Sequence, residues 1–170
     1  EAQNLIDTSI KRWQASMCTF KGSIRLGQVF FLLVFLSGCT KVFFYPDSRF
    51  IQTPADIGLP YEEVFFHSSD QIRLHGWVLK TEKPPWCRML YLHGNAENIS
   101  THLNAVYWLP QHGVEVLMFD YRGYGKSGGQ AELSGLHRDV GRALSFAVDR
   151  LPGSSACFVV YGQSLGGALA

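Results

Sequence analysis

An excess of charge of either sign is missing from this 170-residue sequence. Fifteen lysines and arginines face fourteen aspartates and glutamates, a net of +1. Nucleic-acid binding rests on many basic contacts, so the balance gives no footing for that partner, nor for an acidic substrate. Internal repeats and low-complexity tracts are absent, which sets aside repeat arrays. Also missing is an apolar run of the roughly 20 residues that cross a bilayer. What is present is a hydrophobic content of 46%, ample for a core in a chain of this length.

The N-terminal part carries a different pattern from the rest. Residues 1–16 are polar and without useful periodicity, and they read as an upstream extension. From Met17 the text becomes MCTFKGSIRLGQVFFLLVFLSGCT. Lys21 and Arg25 supply a positive region, 26–36 an apolar stretch, and Ser37-Gly38 the small residues before Cys39. That is the architecture of a secretory leader over 17–38. Leu36-Ser37-Gly38-Cys39 resembles a bacterial lipobox, which implies a lipid on Cys39, a membrane partner, and a place in a bacterial cell envelope. Acyl chains anchor a protein without a spanning helix. Two other readings stay open: an uncleaved anchor running on through Val42-Phe43-Phe44, and ordinary cleavage with Cys39 coincidental. Lys41 and Gln28 weigh against the longer helix.

After Cys39 the prolines and lack of periodicity over 39–60 suggest a linker, with the folded part over 61–170. Val64 to His67 and Ile72 to Leu79 alternate as a hairpin around Ser68-Ser69-Asp70. From Arg88 the pattern becomes strand and helix in turn. Met89 to Leu92 is a short strand, and Ile99, Leu103 and Val106 stand at helical spacing after a cap at Asn98 or Ser100. Val114 to Phe119 is a strand ending at Asp120. Leu133, Leu136, Val140, Leu144 and Val148 mark one face of a second helix, and Cys157 to Tyr161 is a fully apolar strand. A hairpin followed by β-α-β-α-β predicts an α/β architecture with a mostly parallel sheet. Cys87 and Cys157 each open a strand candidate. In an oxidising compartment they could pair, while a free buried thiol is the commoner state.

Gly162-Gln163-Ser164-Leu165-Gly166 breaks the last strand and passes into small, helix-compatible residues. A sharp strand-to-helix turn of this kind forces its central residue into a strained backbone and leaves that side chain exposed, so Ser164 reads as a nucleophile. A serine hydroxyl needs a base for its proton and donors for the developing oxyanion. One donor is the backbone N–H of Leu165. The other belongs in the loop after the third strand, here Leu92-His93-Gly94-Asn95, and falls to the Asn95 N–H. The run Asp120-Tyr121-Arg122-Gly123-Tyr124-Gly125-Lys126-Ser127 invites a phosphate-loop reading. However, a Walker A motif needs glycine where Asp120 stands, and no helix opens at Lys126. It reads as a structural loop beside the pocket.

The three stretches LHGNAENIS, FDYRGYGKSGG and YGQSLGGALA, in this order, resemble the α/β-hydrolase superfamily. More narrowly the chain is similar to the serine-hydrolase subgroup described as serine-aminopeptidase-like or lysophospholipase-like, over 61–170. The resemblance implies an α/β-hydrolase fold cleaving ester or amide bonds through an acyl-serine intermediate, without cofactor or metal. In that fold the order is serine, acid, then histidine, whereas His67, His75, His93, His102, His112 and His137 all precede Ser164. The reading is therefore of the N-terminal part of such a hydrolase, inactive by itself, with acid and base beyond residue 170. His93 and Asp120 are read as structural. Aspartate at the elbow would point to a dehalogenase or epoxide hydrolase, and serine stands there instead. The alternative is a non-catalytic binding or scaffold protein on the same fold, which fold alone does not separate.

Overall fold

Period-2 alternation builds a central sheet of five strands in the order β2-β3-β6-β4-β7. Their ranges are Tyr61–His67 (β2), Arg73–Leu79 (β3), Cys87–Leu92 (β4), Val114–Asp120 (β6) and Phe158–Gly162 (β7). The computed structural model describes residues 43–150 and 157–170. The extension, leader and Cys39 read from the sequence lie outside these. β2 and β3 form the expected antiparallel hairpin, β3 pairs antiparallel with β6, and β6, β4 and β7 run parallel. The apolar strand β7 lies beside β4.

Alternate residues feed two cores. Leu74, Val78, Leu90, Leu92, Leu117 and Phe119 face one layer, and Trp77, Leu79, Tyr91, Val116 and Met118 face the other. Over the first packs helix α2, Leu133–Asp149. Over the second lies a short helix α1, Ile99–His102, followed by two 3-10 turns, Leu103–Ala105 and Pro110–His112. The sequence predicts one continuous helix here. The Trp108 indole N–H takes the Ala105 carbonyl at 3.2 Å, and Pro110 has no N–H to continue a ladder. Ile99, Leu103 and Val106 are buried all the same.

The face expected for α2 is corrected. Leu133, Leu144 and Val148 are exposed, and the buried positions are Gly135, Leu136, Asp139, Ala143 and Ala147. A buried ion cluster sets this rotation. Arg122, in the loop after β6, donates through Nε and Nη2 to Asp139 at 3.1 and 2.7 Å, and through Nη1 and Nη2 to Asp70 at 2.8 Å each. Asp70 lies in the β2–β3 turn, so one guanidinium joins hairpin, loop and helix. Its fork donates to two carboxylates at once. Hydrogen bonds from Arg122 hold the Asp70 carboxyl well below the usual range. The glycine-rich loop is structural, as the sequence implies.

Cys87 and Cys157 form a disulfide, Cα–Cα 4.6 Å. The register places Arg88 opposite Phe158, so the cysteines preceding them lie side by side, and the free-thiol alternative is set aside.

The linker assigned to 39–60 is also corrected for its described part. Tyr45–Pro46 (β1) pairs in parallel with Ala96–Glu97 (β5). The Asn98 amide donates to the carbonyls of Asp47 and Arg49 at 2.9 and 2.7 Å, and Ile51 N–H donates to Ser100 Oγ at 3.1 Å. Phe50 packs edge-on against Trp77. Residues 43–51 form a strap over the loop that follows β4.

Removing Asp139 leaves a buried guanidinium short of one partner. Asp139→Ala is expected to lower the unfolding free energy by about 3 kcal/mol or more, read from urea denaturation. A loss below about 1 kcal/mol would contradict the assignment.

Candidate active site

Gly162 and Gly166, on either side of Ser164, sit where no side chain fits. A Cβ on Gly162 would lie 2.2 Å from the Gly166 carbonyl oxygen, and one on Gly166 would lie 2.1 Å from that of Leu92. Real Cβ atoms do not approach this closely. Only glycine lets the chain turn from β7 into helix α3, Leu165–Leu169, while lying against the end of β4. The turn throws Ser164 into φ 52°, ψ −113°, a backbone region that costs on the order of 1–3 kcal/mol. Ser164 is exposed at the carboxyl edge of the sheet. Leu165 opens α3, so its N–H belongs to the first-turn donors without an intrahelical acceptor.

The loop after β4 runs alongside. Gln163 N–H donates to the Leu92 carbonyl at 3.0 Å, fixing the elbow to the strand end. Asn95 is held on two sides: its amide donates to the Phe43 carbonyl, and Tyr124 Oη donates to its carbonyl and Oδ1 at 3.0 and 2.9 Å. Asn98 caps α1, accepting from Ser100 N–H at 2.9 Å. Of the two caps open in the sequence, Asn98 is the one used.

Behind the loop stands Asp120, fully buried. It accepts from Ile99 N–H at 2.8 Å and lies 3.2 Å from His75 Nδ1, and His75 Nε2 lies 2.9 Å from Glu63. Lys126 completes the row on Glu63 at 2.6 Å. Asp120 thus pins the start of α1 and is engaged structurally, as read. His93 is buried as well. Its Nδ1–H donates to the Gly94 carbonyl at 2.7 Å, which leaves Nε2 a lone pair without a hydrogen-bond partner, 3.9 Å from Asp120. Burial pushes the His93 pKa down to about 4, against the opposing pull of Asp120. The ring is a neutral wall packed on Tyr121, centroids 4.3 Å apart.

Several residues at the site carry no chemistry signal in the sequence. His102, at the end of α1, lies with Nδ1 3.3 Å from Gln163 Oε1 and Nε2 3.1 Å from the Ala96 carbonyl. Tyr91 Oη donates to the same Gln163 oxygen at 2.6 Å. Burial raises the Tyr91 pKa to about 12, so the phenol stays a donor. Among the described residues no group of three or more His, Cys, Asp or Glu is placed to hold a metal.

A mostly parallel sheet with a glycine-flanked serine on a strained turn at its carboxyl edge defines the α/β-hydrolase fold. Comparison with known proteins narrows this. The family model for serine aminopeptidase S33 matches residues 83–170, just over half of the sequence, and the chain belongs to that family. It is 34% identical over 156 residues to the uncharacterized protein YfhR of Escherichia coli, covering 85% of this chain and 54% of that protein. Against protein bem46 of Schizosaccharomyces pombe the figures are 31% over 160 residues, 89% and 54%. The fold is similar to that of the Pyrococcus furiosus esterase Pf2001, TM-score 0.62 at 27% identity, over 74% of this chain and 51% of that one. The chain spans about half the length of these relatives.

The buried neutral His93 has a consequence in acid. Its pKa in the fold lies below the ordinary 6.5, so the unfolded chain binds more protons between the two values. Its contribution is complete above about pH 6.5 and is lost as pH falls toward 4. His93→Asn is expected to remove about 3 kcal/mol of the wild type's stability loss across that window, read by denaturant titration at several pH values. Equal acid slopes in both proteins would contradict it.

Proposed function

We propose that the protein is a serine hydrolase that cleaves ester or amide bonds of a small-molecule substrate through an acyl-serine intermediate. One observation carries the reading: Ser164 is exposed on a strained turn whose two glycines allow backbone contacts that no other residue permits. Ser164 Oγ attacks the carbonyl carbon, and the carbonyl oxygen takes the negative charge. The N–H groups of Leu165 and Asn95 receive that charge, a contribution worth about 10²–10³ in rate for a single donor. The proton of Ser164 goes to a histidine oriented by a carboxylate. Both are assigned to the part of the relatives that this chain does not span, so the 170-residue chain alone is expected to turn over no ester. The similarity to an esterase structure supports the same class. In the full-length protein a fluorophosphonate probe is expected to label Ser164, and Ser164→Ala to abolish both labelling and turnover of short nitrophenyl esters. Labelling that survives the substitution refutes the reading.

We also propose that residues 17–39 deliver the protein to a bacterial cell envelope and attach it to a membrane through lipid on Cys39. The Cys87–Cys157 disulfide supports an oxidising compartment, since such bonds persist outside the reducing cytosol. Expressed in a bacterium from Met17, the protein is expected to incorporate labelled fatty acid and sediment with membranes, and Cys39→Ser to lose the label. A soluble, unlabelled wild type contradicts the assignment.

A further inference from the structure

We propose that His102 is a positioning residue that locks the elbow to the loop carrying Asn95, and so sets the spacing of the two oxyanion donors. The inference rests on the serine-hydrolase reading and adds to it a residue outside the three stretches of the nucleophile, loop and acid–base pair.

His102 touches both halves of the proposed oxyanion site at once. Its Nδ1 lies 3.3 Å from the Gln163 side chain, one residue before Ser164. Its Nε2 lies 3.1 Å from the Ala96 carbonyl, one residue after Asn95. Its Cε1 would lie 3.3 Å from a Cβ on Gly94, one residue before Asn95. The imidazole therefore brackets Asn95 from both sides and reaches across to the elbow. Gly94 is what admits the ring, because any side chain there would press on it.

The far end of the link is fixed too. Tyr91 Oη lies 2.6 Å from the same Gln163 oxygen, and the Tyr91 ring stacks on Tyr161 of β7 at 5.8 Å. Gln163 is thereby held by Tyr91 of β4 and by the ring on α1. A neutral imidazole donates from one nitrogen and accepts at the other. Nε2–H donating to Ala96 leaves Nδ1 an acceptor. Turning the Gln163 carboxamide over, an exchange of O and N that heavy-atom positions do not distinguish, gives Nδ1 a donor. The Tyr91 hydroxyl then accepts from the same NH₂, in place of the bond it donates to the oxygen in the unturned amide.

Oxyanion stabilisation depends on donors fixed before the charge develops, and a displacement of about 1 Å is costly. Loss of the link acts on the transition state more than on bound substrate, and it leaves Ser164 chemically intact.

The test uses the full-length protein with a short nitrophenyl ester and a trifluoromethyl ketone, which binds as a tetrahedral adduct. His102→Ala is expected to lower kcat about tenfold with KM within about twofold, a pattern that marks a transition-state interaction. Ketone affinity should fall by the same factor as kcat/KM, and the melting temperature should stay put. His102→Gln, which keeps one hydrogen bond, is expected to recover part of the loss. Adding Gln163→Ala to His102→Ala should cost little more, since one link is already broken. Unchanged kcat and ketone affinity overturn the proposal, as does a loss that follows melting temperature alone. Complete loss of fluorophosphonate labelling in His102→Ala, with wild type labelled, also overturns it, because His102 is then the base itself. A wild type that never labels refutes the hydrolase reading and this inference with it.

Discussion

The site depends on how closely two backbones meet. The start of α3 lies on the carbonyl end of β4 with no side chain between them, because Gly162 and Gly166 have none. That contact forces Ser164 into its strained conformation and exposes it. A strain of this size persists only where the surroundings over-determine it. Here they comprise the parallel pairing of β4 with β7, the Gln163 bond to Leu92, and the disulfide at the opposite end of the same two strands. The disulfide closes a separation of 70 residues, a constraint on the unfolded chain worth about 4 kcal/mol in the loop-entropy picture.

A second constraint holds the neighbouring loop. Asp120 ends β6 and points to the same layer as Val116 and Met118, where it takes the first N–H of α1 and meets His75. A buried carboxylate is tolerable only when its oxygens are satisfied. The strap then closes over the outside, with Asn98 bonded to Asp47 and Arg49, and Asn95 bonded to Phe43 and Tyr45. The loop is thus fixed from beneath by Asp120 and from above by residues 43–51.

How much of this was legible depends on whether the signal was local. Strands betray themselves by period 2, and β2, β3, β4, β6 and β7 all stand where alternation or an apolar run placed them. The elbow is local too, since five consecutive residues carry both the serine and its steric conditions. What failed involved partners far apart in sequence. The α2 face is not legible locally, because Asp139 counts as polar until Arg122 is brought beside it, while the apolar Leu144 and Val148 look like core and are not. The strap looks like linker in the sequence because its bonds reach 49 and 51 residues ahead. His102 carries no local signal, since it precedes the nucleophile in the chain and its contact with Gln163 spans 61 residues.

The measurement that bears most directly on the elbow is a crystal structure of the full-length protein after reaction with a phosphonate. The expected result is a covalent bond from Ser164 Oγ to phosphorus, with the phosphonyl oxygen about 3 Å from the backbone nitrogens of both Asn95 and Leu165. An adduct on any other residue would contradict it, as would an oxygen turned to solvent away from those two amides.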